Sequence, residues 1–204
     1  MLQPSEFEEI ALRFGAANFR VEAALVATPA ALSRLGIVDR YWSEVQEVGH
    51  GRAIAPAVHD ACQAGVLRGA NAVDAGGLAH SAFVFRRSGH VVYANHVDAS
   101  GTWMRTPHMA AAITAEWTRP WSLAEQQWFD SRLSTLRQSM PADWQAELQQ
   151  IDGLAAPLAA RSRTSAAARI TSRHGGSPRP QRPRELPPAG HTVREPQVPR
   201  RGPR

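Results

Sequence analysis

The 204-residue chain has no lysine and a single cysteine, Cys62. One thiol excludes an intrachain disulfide and any cysteine-based zinc cluster. It also fits a reducing compartment, so a cytoplasmic location is expected. All 23 basic residues are arginine, the cation that forks onto carboxylates and phosphates. With an Ala- and Gly-rich composition, this reads more simply as the codon usage of a GC-rich bacterial genome. No apolar run approaches the roughly 18 residues of a membrane span. The opening "MLQPSEFEEI" lacks the apolar stretch of a classical signal peptide, and a soluble protein is expected. The phosphate-binding loop, nucleophile elbow, H-E-x-x-H and dinucleotide fingerprints are absent as well. No motif-defined enzyme class is indicated, and no cofactor is expected.

Charge is present but unevenly placed. From Arg161 to Arg204 there are 11 arginines against Glu185 and Glu195, a net of +9. Residues 1–160 hold 12 arginines and 16 acids, a net of −4, which restores the +5 of the whole chain. Periodicity vanishes from about Arg161, and the last thirty-one residues carry eight prolines and no aromatic side chain. Such a segment cannot bury enough surface to offset its ordering entropy. The expected organisation is a globular α+β domain over 1–158 and a disordered Arg/Pro-rich tail over 159–204.

Within the domain, apolar spacing predicts the elements. Ser5 and Glu8 form a capping-box pair ahead of Phe7, Ile10, Ala11 and Phe14, a helix up to Gly15. "NFRVEAALVA" reads as a strand, although its alanines also permit helix. Thr28-Pro29 starts a short helix stopped by Gly36. A second helix covers Val38 to Val48, and a third runs from Ala55 to Arg68, stopped by Gly69. Residues 81–86 and 91–97 alternate with period two around "RSGH", a hairpin signal. Ser122 and Glu125 form a second capping box, followed by Phe129, Leu133, Leu136 and Met140 at helical spacing. Pro141 opens a last helix with Trp144, Leu148 and Ile151 on one face. The fold expected is a helix-rich single α+β domain. One antiparallel β-hairpin belongs to a small sheet, a C-terminal helical hairpin follows, and then the disordered basic tail.

The hairpin holds the densest chemistry. A type I turn through Arg87 and Ser88 with Gly89 left-handed makes a G1 bulge. That register pairs Arg86 with His90, Val84 with Val92, Ala82 with Ala94 and His80 with His96. Asp98 then shares their face, and Phe83, Phe85, Val91 and Tyr93 form the core face. His80, His96 and Asp98 are the residue set of a two-histidine, one-carboxylate metal site. A two-residue loop would instead separate the histidines. His59 and Cys62, at i and i+3, are the makings of a Cys–His pair, but Cys62 lies on an Ala-rich face where a free thiol packs as a small hydrophobe.

"FRRSGHVVYAN", within residues 83–95, resembles the strand–turn–strand that opens PAS-type sensory domains. In that family the hairpin belongs to the sheet that cups a ligand, cofactor or partner helix, so the likeness implies a sensory or regulatory domain.

Five of the six tryptophans fall between residues 103 and 144. "WTRPW" (Trp117 to Trp121) lies at a break between helices, where partial exposure is expected and a protein partner is possible. In the tail, Arg161, Arg163, Arg169, Arg173, Arg179, Arg182, Arg184, Arg200, Arg201 and Arg204 form a polyanion-binding set for DNA, RNA or acidic protein, with salt-dependent affinity. The expected function is a non-enzymatic regulatory or nucleic-acid-associated protein. One alternative is an effector whose basic C-terminus resembles the export signals of type IV secretion substrates. The other is a metal-dependent enzyme using His80, His96 and Asp98.

Overall fold

The computed structural model describes residues 4–174, with side chains over 6–159. Along the chain come α1 (Pro4–Ala16), β1 (Glu22–Val26), α2 (Ala30–Val48), α3 (Pro56–Ala75), β2 (Ser81–Phe85), β3 (Val91–His96), α4 (Met109–Thr118), α5 (Leu123–Ser139) and α6 (Gln145–His174). The sheet order is β1-β2-β3. β1 and β2 are parallel, with Glu22 opposite Ser81 and Val26 opposite Phe85. A parallel pair needs a long crossover, and α2 and α3 supply it. The helix-rich α+β fold with a small sheet is as expected, as are the hairpin and the α5–α6 helical hairpin. α6 continues to His174, into the segment read as tail; residues 175–204 lie outside the described residues. No helix among the described residues is long and apolar enough to cross a membrane.

Two cores form. α2, α5 and α6 bury Leu35, Phe129, Leu136, Leu148 and Ile151 against one another, each at most 1% exposed. The capping box at Ser122 is present in full: Glu125 N donates to Ser122 Oγ, and Ser122 N to the Glu125 carboxylate. The second core lies between the sheet and α3 with α4, around Ala23, Ala82, Val84, Tyr93, Met109 and Ile113.

Several expectations are corrected. Gly36 does not stop a helix, because α2 runs unbroken from Ala30 to Val48. A Cβ at Gly36 would stand 2.8 Å from Arg87 Nη1, so the glycine gives that side chain its seat. Mid-helix glycine costs about 1 kcal/mol relative to alanine, and α2 is unbroken across it. Gly69 likewise lies inside α3, which ends at Ala75. α4 has no sequence signal at its start. His108, at its N-cap position, makes no side-chain cap. Instead Met109 N and Ala110 N donate to the Asp74 carboxylate at 2.8 and 2.9 Å, which satisfies orphan donors from a neighbouring helix.

The hairpin turn is as the pattern dictates. Gly89 has φ 83°, and Arg86 N donates to His90 O at 2.8 Å. The register then slips between Val84 and Phe85: Phe85 faces Val91, whereas Val84 faces Tyr93. Val92 is the extra residue. The slip sends Tyr93 and Asn95 inward with Val84 and Ala82. Phe83, Phe85 and Val91 are left on the opposite face, so the expected core face is split. Ser81 now faces His96, and Val97 N donates to His80 O at 3.0 Å. The expected pairing of His80 with His96 is therefore refuted, since a one-residue slip exchanges faces.

Candidate functional site

β1 and β2 end at the same edge of the sheet, and ligands of open parallel sheets sit outside the carboxyl ends of the strands. A cleft of about 380 Å3 lies there. Thr28 and Pro29, which follow β1, form one wall; Arg86, Arg87 and Ser88, which follow β2, form another. Glu116 of α4, Arg119 just after it, and Glu125 and Trp128 of α5 close the third side. The cleft thus stands where the two cores meet. The first N–H groups of α2 have no side-chain cap, because Pro29 holds the N-cap position.

The polar groups form a chain. Glu116 is 5% exposed and accepts from Arg86 Nε at 2.8 Å and from Arg119 Nε. Arg119 reaches on to Glu125, with Nη1 to Oε2 at 2.8 Å. The Arg119 hydrogen bond holds the Glu125 carboxyl down to about 2, helped by the Ser122 backbone and hydroxyl against a desolvation that raises it. The same pairing raises the Arg119 guanidinium above its ordinary value. A buried carboxylate needs such partners, and Glu116, gripped by two guanidiniums, is committed to holding them.

Arg87 differs from its neighbours. It makes no ion pair among the described residues. Its guanidinium instead lies over the Trp128 ring, 5.7 Å from the centroid, a cation–π arrangement. Three guanidiniums against two carboxylates leave the cleft one positive charge in excess, carried by Arg87. A planar fork with free donors, a helix N-terminus and two hydroxyls (Thr28 and Ser88) suit an anion such as phosphate.

The residues singled out by sequence lie elsewhere. His80 is exposed and its Nδ1 accepts from Val21 N at 3.1 Å. His96 lies on the other face, its Nδ1 3.1 Å from Ser81 Oγ. Asp98 sits in a surface turn, its carboxyl lowered first by the Ser100 hydroxyl, 2.6 Å away. The three are not brought together, and among the described residues no group of three His, Cys, Asp or Glu could hold a metal. His59 is buried and turns its Nδ1 to Asp60 Oδ1 at 3.1 Å. Cys62 is half-buried on the face of α3. Trp121 of "WTRPW" is 3% exposed and packs on Phe129, centroids 5.0 Å apart, so that part of the segment is core. Trp128 at the cleft is 40% exposed. Arg161, Arg163, Arg169 and Arg173 fall in α6 beyond the described side chains. Arg179, Arg182, Arg184, Arg200, Arg201 and Arg204 fall outside the described residues.

Residues 1–98 match the zeta toxin family. The matched part, just under half of the chain, contains β1, α2 and the hairpin, and with them Thr28, Arg86 and Arg87. No curated protein and no solved structure matches the chain. The zeta toxin match spans the residues that carried the PAS likeness and overturns it: the hairpin is not the opening of a sheet but follows a parallel strand, β1. Short hairpins with a glycine turn look alike in sequence whatever sheet they join. The match is to a P-loop kinase-like toxin family. It overturns the non-enzymatic regulatory or nucleic-acid-associated reading, and neither the exported-effector nor the metalloenzyme alternative fits it.

The cleft residues were visible only in part from sequence. Arg86-Arg87 straight after an apolar strand was the available signal; Gly36, read as a helix stop, pointed away from the cleft. Arg119 and Glu116 had none, because α4 itself carried no start signal.

Proposed function

We propose that this domain binds a phosphate-bearing ligand in the cleft at the carboxyl ends of β1 and β2 and serves phosphoryl transfer of the kinase-like toxin type. The observation that carries the reading is Arg87, an ion-pair-free guanidinium seated by Gly36 and Trp128 within the region that matches that family. Phosphoryl transfer is catalysed chiefly by positioning and by positive charge around the transferred group. Arg87 supplies the available charge, the α2 N-terminus supplies donors, and Thr28 and Ser88 supply hydroxyls. Arg86 and Arg119, neutralised by Glu116 and Glu125, hold the cleft's shape and set its electrostatic background.

Calorimetric titration with ADP, and separately with inorganic pyrophosphate, tests this. Arg87→Ala is expected to weaken binding about tenfold or more, the worth of one charge-assisted hydrogen bond. Gly36→Ala keeps the charge but fills its seat, and should weaken binding in the same direction. Wild-type protein that binds neither anion at millimolar concentration, or that binds them equally well as Arg87→Ala, would sink the proposal.

A further inference from the structure

A cavity of about 510 Å3 lies between α2, the start of α3 and the start of α6, and shares no lining residue with the phosphate cleft. The connection from α2 to α3 forms one wall. A Cβ at Gly51 would stand 2.5 Å from Tyr41 O, so only glycine lets that connection lie flush against α2. Arg52 N donates to the Glu44 carboxylate at 3.0 Å, and Ala53, Ile54 and Ala55 follow into the wall. Another wall comes from Asp143 and Trp144, in the 3-10 turn Ala142–Trp144, and from Glu147 of α6. The zeta toxin match ends at residue 98, so this wall lies outside it.

Arg34 and Glu147 are already committed to each other. Arg34 is buried and donates from Nη2 to both oxygens of Glu147, at 2.6 and 2.8 Å, and the two charges cancel. Two other groups differ. His59 is 7% exposed and faces Asp60 Oδ1 through Nδ1 at 3.1 Å. A carboxylate only accepts, so in the neutral ring Nδ1 carries the hydrogen and Nε2 is a bare acceptor. Nε2 is buried and has no partner among the described residues, whereas buried polar atoms are ordinarily hydrogen-bonded. Asp143 is exposed and makes no ion pair among the described residues. In the same cavity Tyr41 and Trp144 stack, centroids 4.7 Å apart, and Ile37, Ile54 and Pro56 add apolar lining.

We propose that this cavity binds a small aromatic amine carrying a ring hydroxyl. The ring lies against Tyr41 and Trp144, where aromatic contact adds to the burial of area. Its hydroxyl donates to His59 Nε2, the acceptor that the protein leaves unmet. Its ammonium, on a short chain, pairs with Asp143, which repels an anion in that place. Arg34 does not draw an acid instead, because Glu147 already holds it. At about 510 Å3 the cavity is within the usual size of small-molecule sites, about 300–1,000 Å3. The site stands apart from the phosphate reading.

Tyramine is the probe, titrated by calorimetry into the full 204-residue chain. Phenethylamine, which lacks the hydroxyl, and p-hydroxyphenylpropionate, which has an acid for the amine, are the comparisons. Expected is saturable binding of tyramine with a Kd at or below about 1 mM. Phenethylamine should bind about tenfold more weakly for its lost hydrogen bond, and the propionate at least about tenfold more weakly beside Asp143. Asp143→Lys should reverse the order of tyramine and the propionate, a gain that no loss of folding imitates. His59→Phe should make tyramine and phenethylamine equal, with a thermal melt as the check on folding; the wild-type ranking and Asp143→Lys decide the matter without it. Tyramine should bind Arg87→Ala as it binds wild type, whichever way the phosphate proposal falls. Tyramine that fails to bind at about ten times the expected Kd overturns the proposal. So does phenethylamine that binds equally well, or an order unchanged by Asp143→Lys. Displacement by pyrophosphate overturns it too, because it places the amine in the cleft beside Arg87.

Discussion

Around α2, α5 and α6 the twelve buried side chains are five leucines, one each of isoleucine, valine, methionine, phenylalanine and tryptophan, and two alanines. Between the sheet and its helices, five of the ten are alanine. The first set interlocks three helices and leaves only Leu154 of α6's described large hydrophobic side chains clearly exposed. The second allows α3 and α4 to lie close to short strands, and leaves β1 at the end of the strand order with Val26 59% exposed. Burial yields about 25 cal/mol per Å2 of apolar surface, so a core of small residues draws little stability from each position. The bundle is the anchor, and the sheet layer, with the cleft at its rim, is the more loosely filled half.

The comparison can be broken most directly in the bundle. Phe129→Ala should cost about 3–5 kcal/mol and Val84→Ala, in the sheet core, about 2, measured by urea unfolding. Equal costs would mean that the two cores are equally tight. Next in size is Asp74→Ala, expected to cost about 1–2 kcal/mol, because two α4 donors lose their acceptor. Asp74→Asn should recover part of it.

The junction between the halves should respond to acid. Glu125 has its carboxyl lowered from 4.5 to about 2 in the folded protein. A depressed acid stabilises fully above its unfolded value and loses that contribution as pH falls through the folded one. The contribution is therefore present above about pH 4.5 and fades toward pH 2. Glu125 and Arg119 are partly exposed, so the effect is about 1 kcal/mol at most. Thermal melts of wild type and Glu125→Gln at pH 6 and pH 2.5 should differ at the higher pH and converge at the lower. The smallest effect is expected at Val26, 59% exposed: Val26→Thr should change stability by less than about 0.5 kcal/mol, and a larger loss would show that its side chain is packed in solution.

Where one element carries its own instructions, the sequence could be read directly. Ser122 and Glu125 announce α5, and Phe129, Leu133 and Leu136 announce the face it buries. The Gly89 turn was equally plain. The register beyond it was not, because the extra residue at Val92 is set by what lies under the strand: Tyr93 and Asn95 must reach the α3–α4 side. Gly36 looked like a stop because local pattern cannot reveal Arg87, fifty-one positions away. The cleft was illegible for the same reason. Arg86, Glu116 and Arg119 acquire meaning only when the parallel pairing of β1 with β2 brings three segments to one rim.

The clamp of Asp74 on α4 also bears on the order of folding. Its acceptor oxygens come from 35 and 36 residues upstream, and forming a first helical turn is the unfavourable step of any helix. A ten-residue helix with its start stabilised only from α3 gains little by nucleating alone. It should form after α3 has docked, with a transition state in which α3 is structured and α4 is not. Substitutions in α4 should then chiefly speed unfolding, while those in α3 slow folding. The segment that closes the cleft and presents Glu116 is, on this view, the last to arrive and the first to leave.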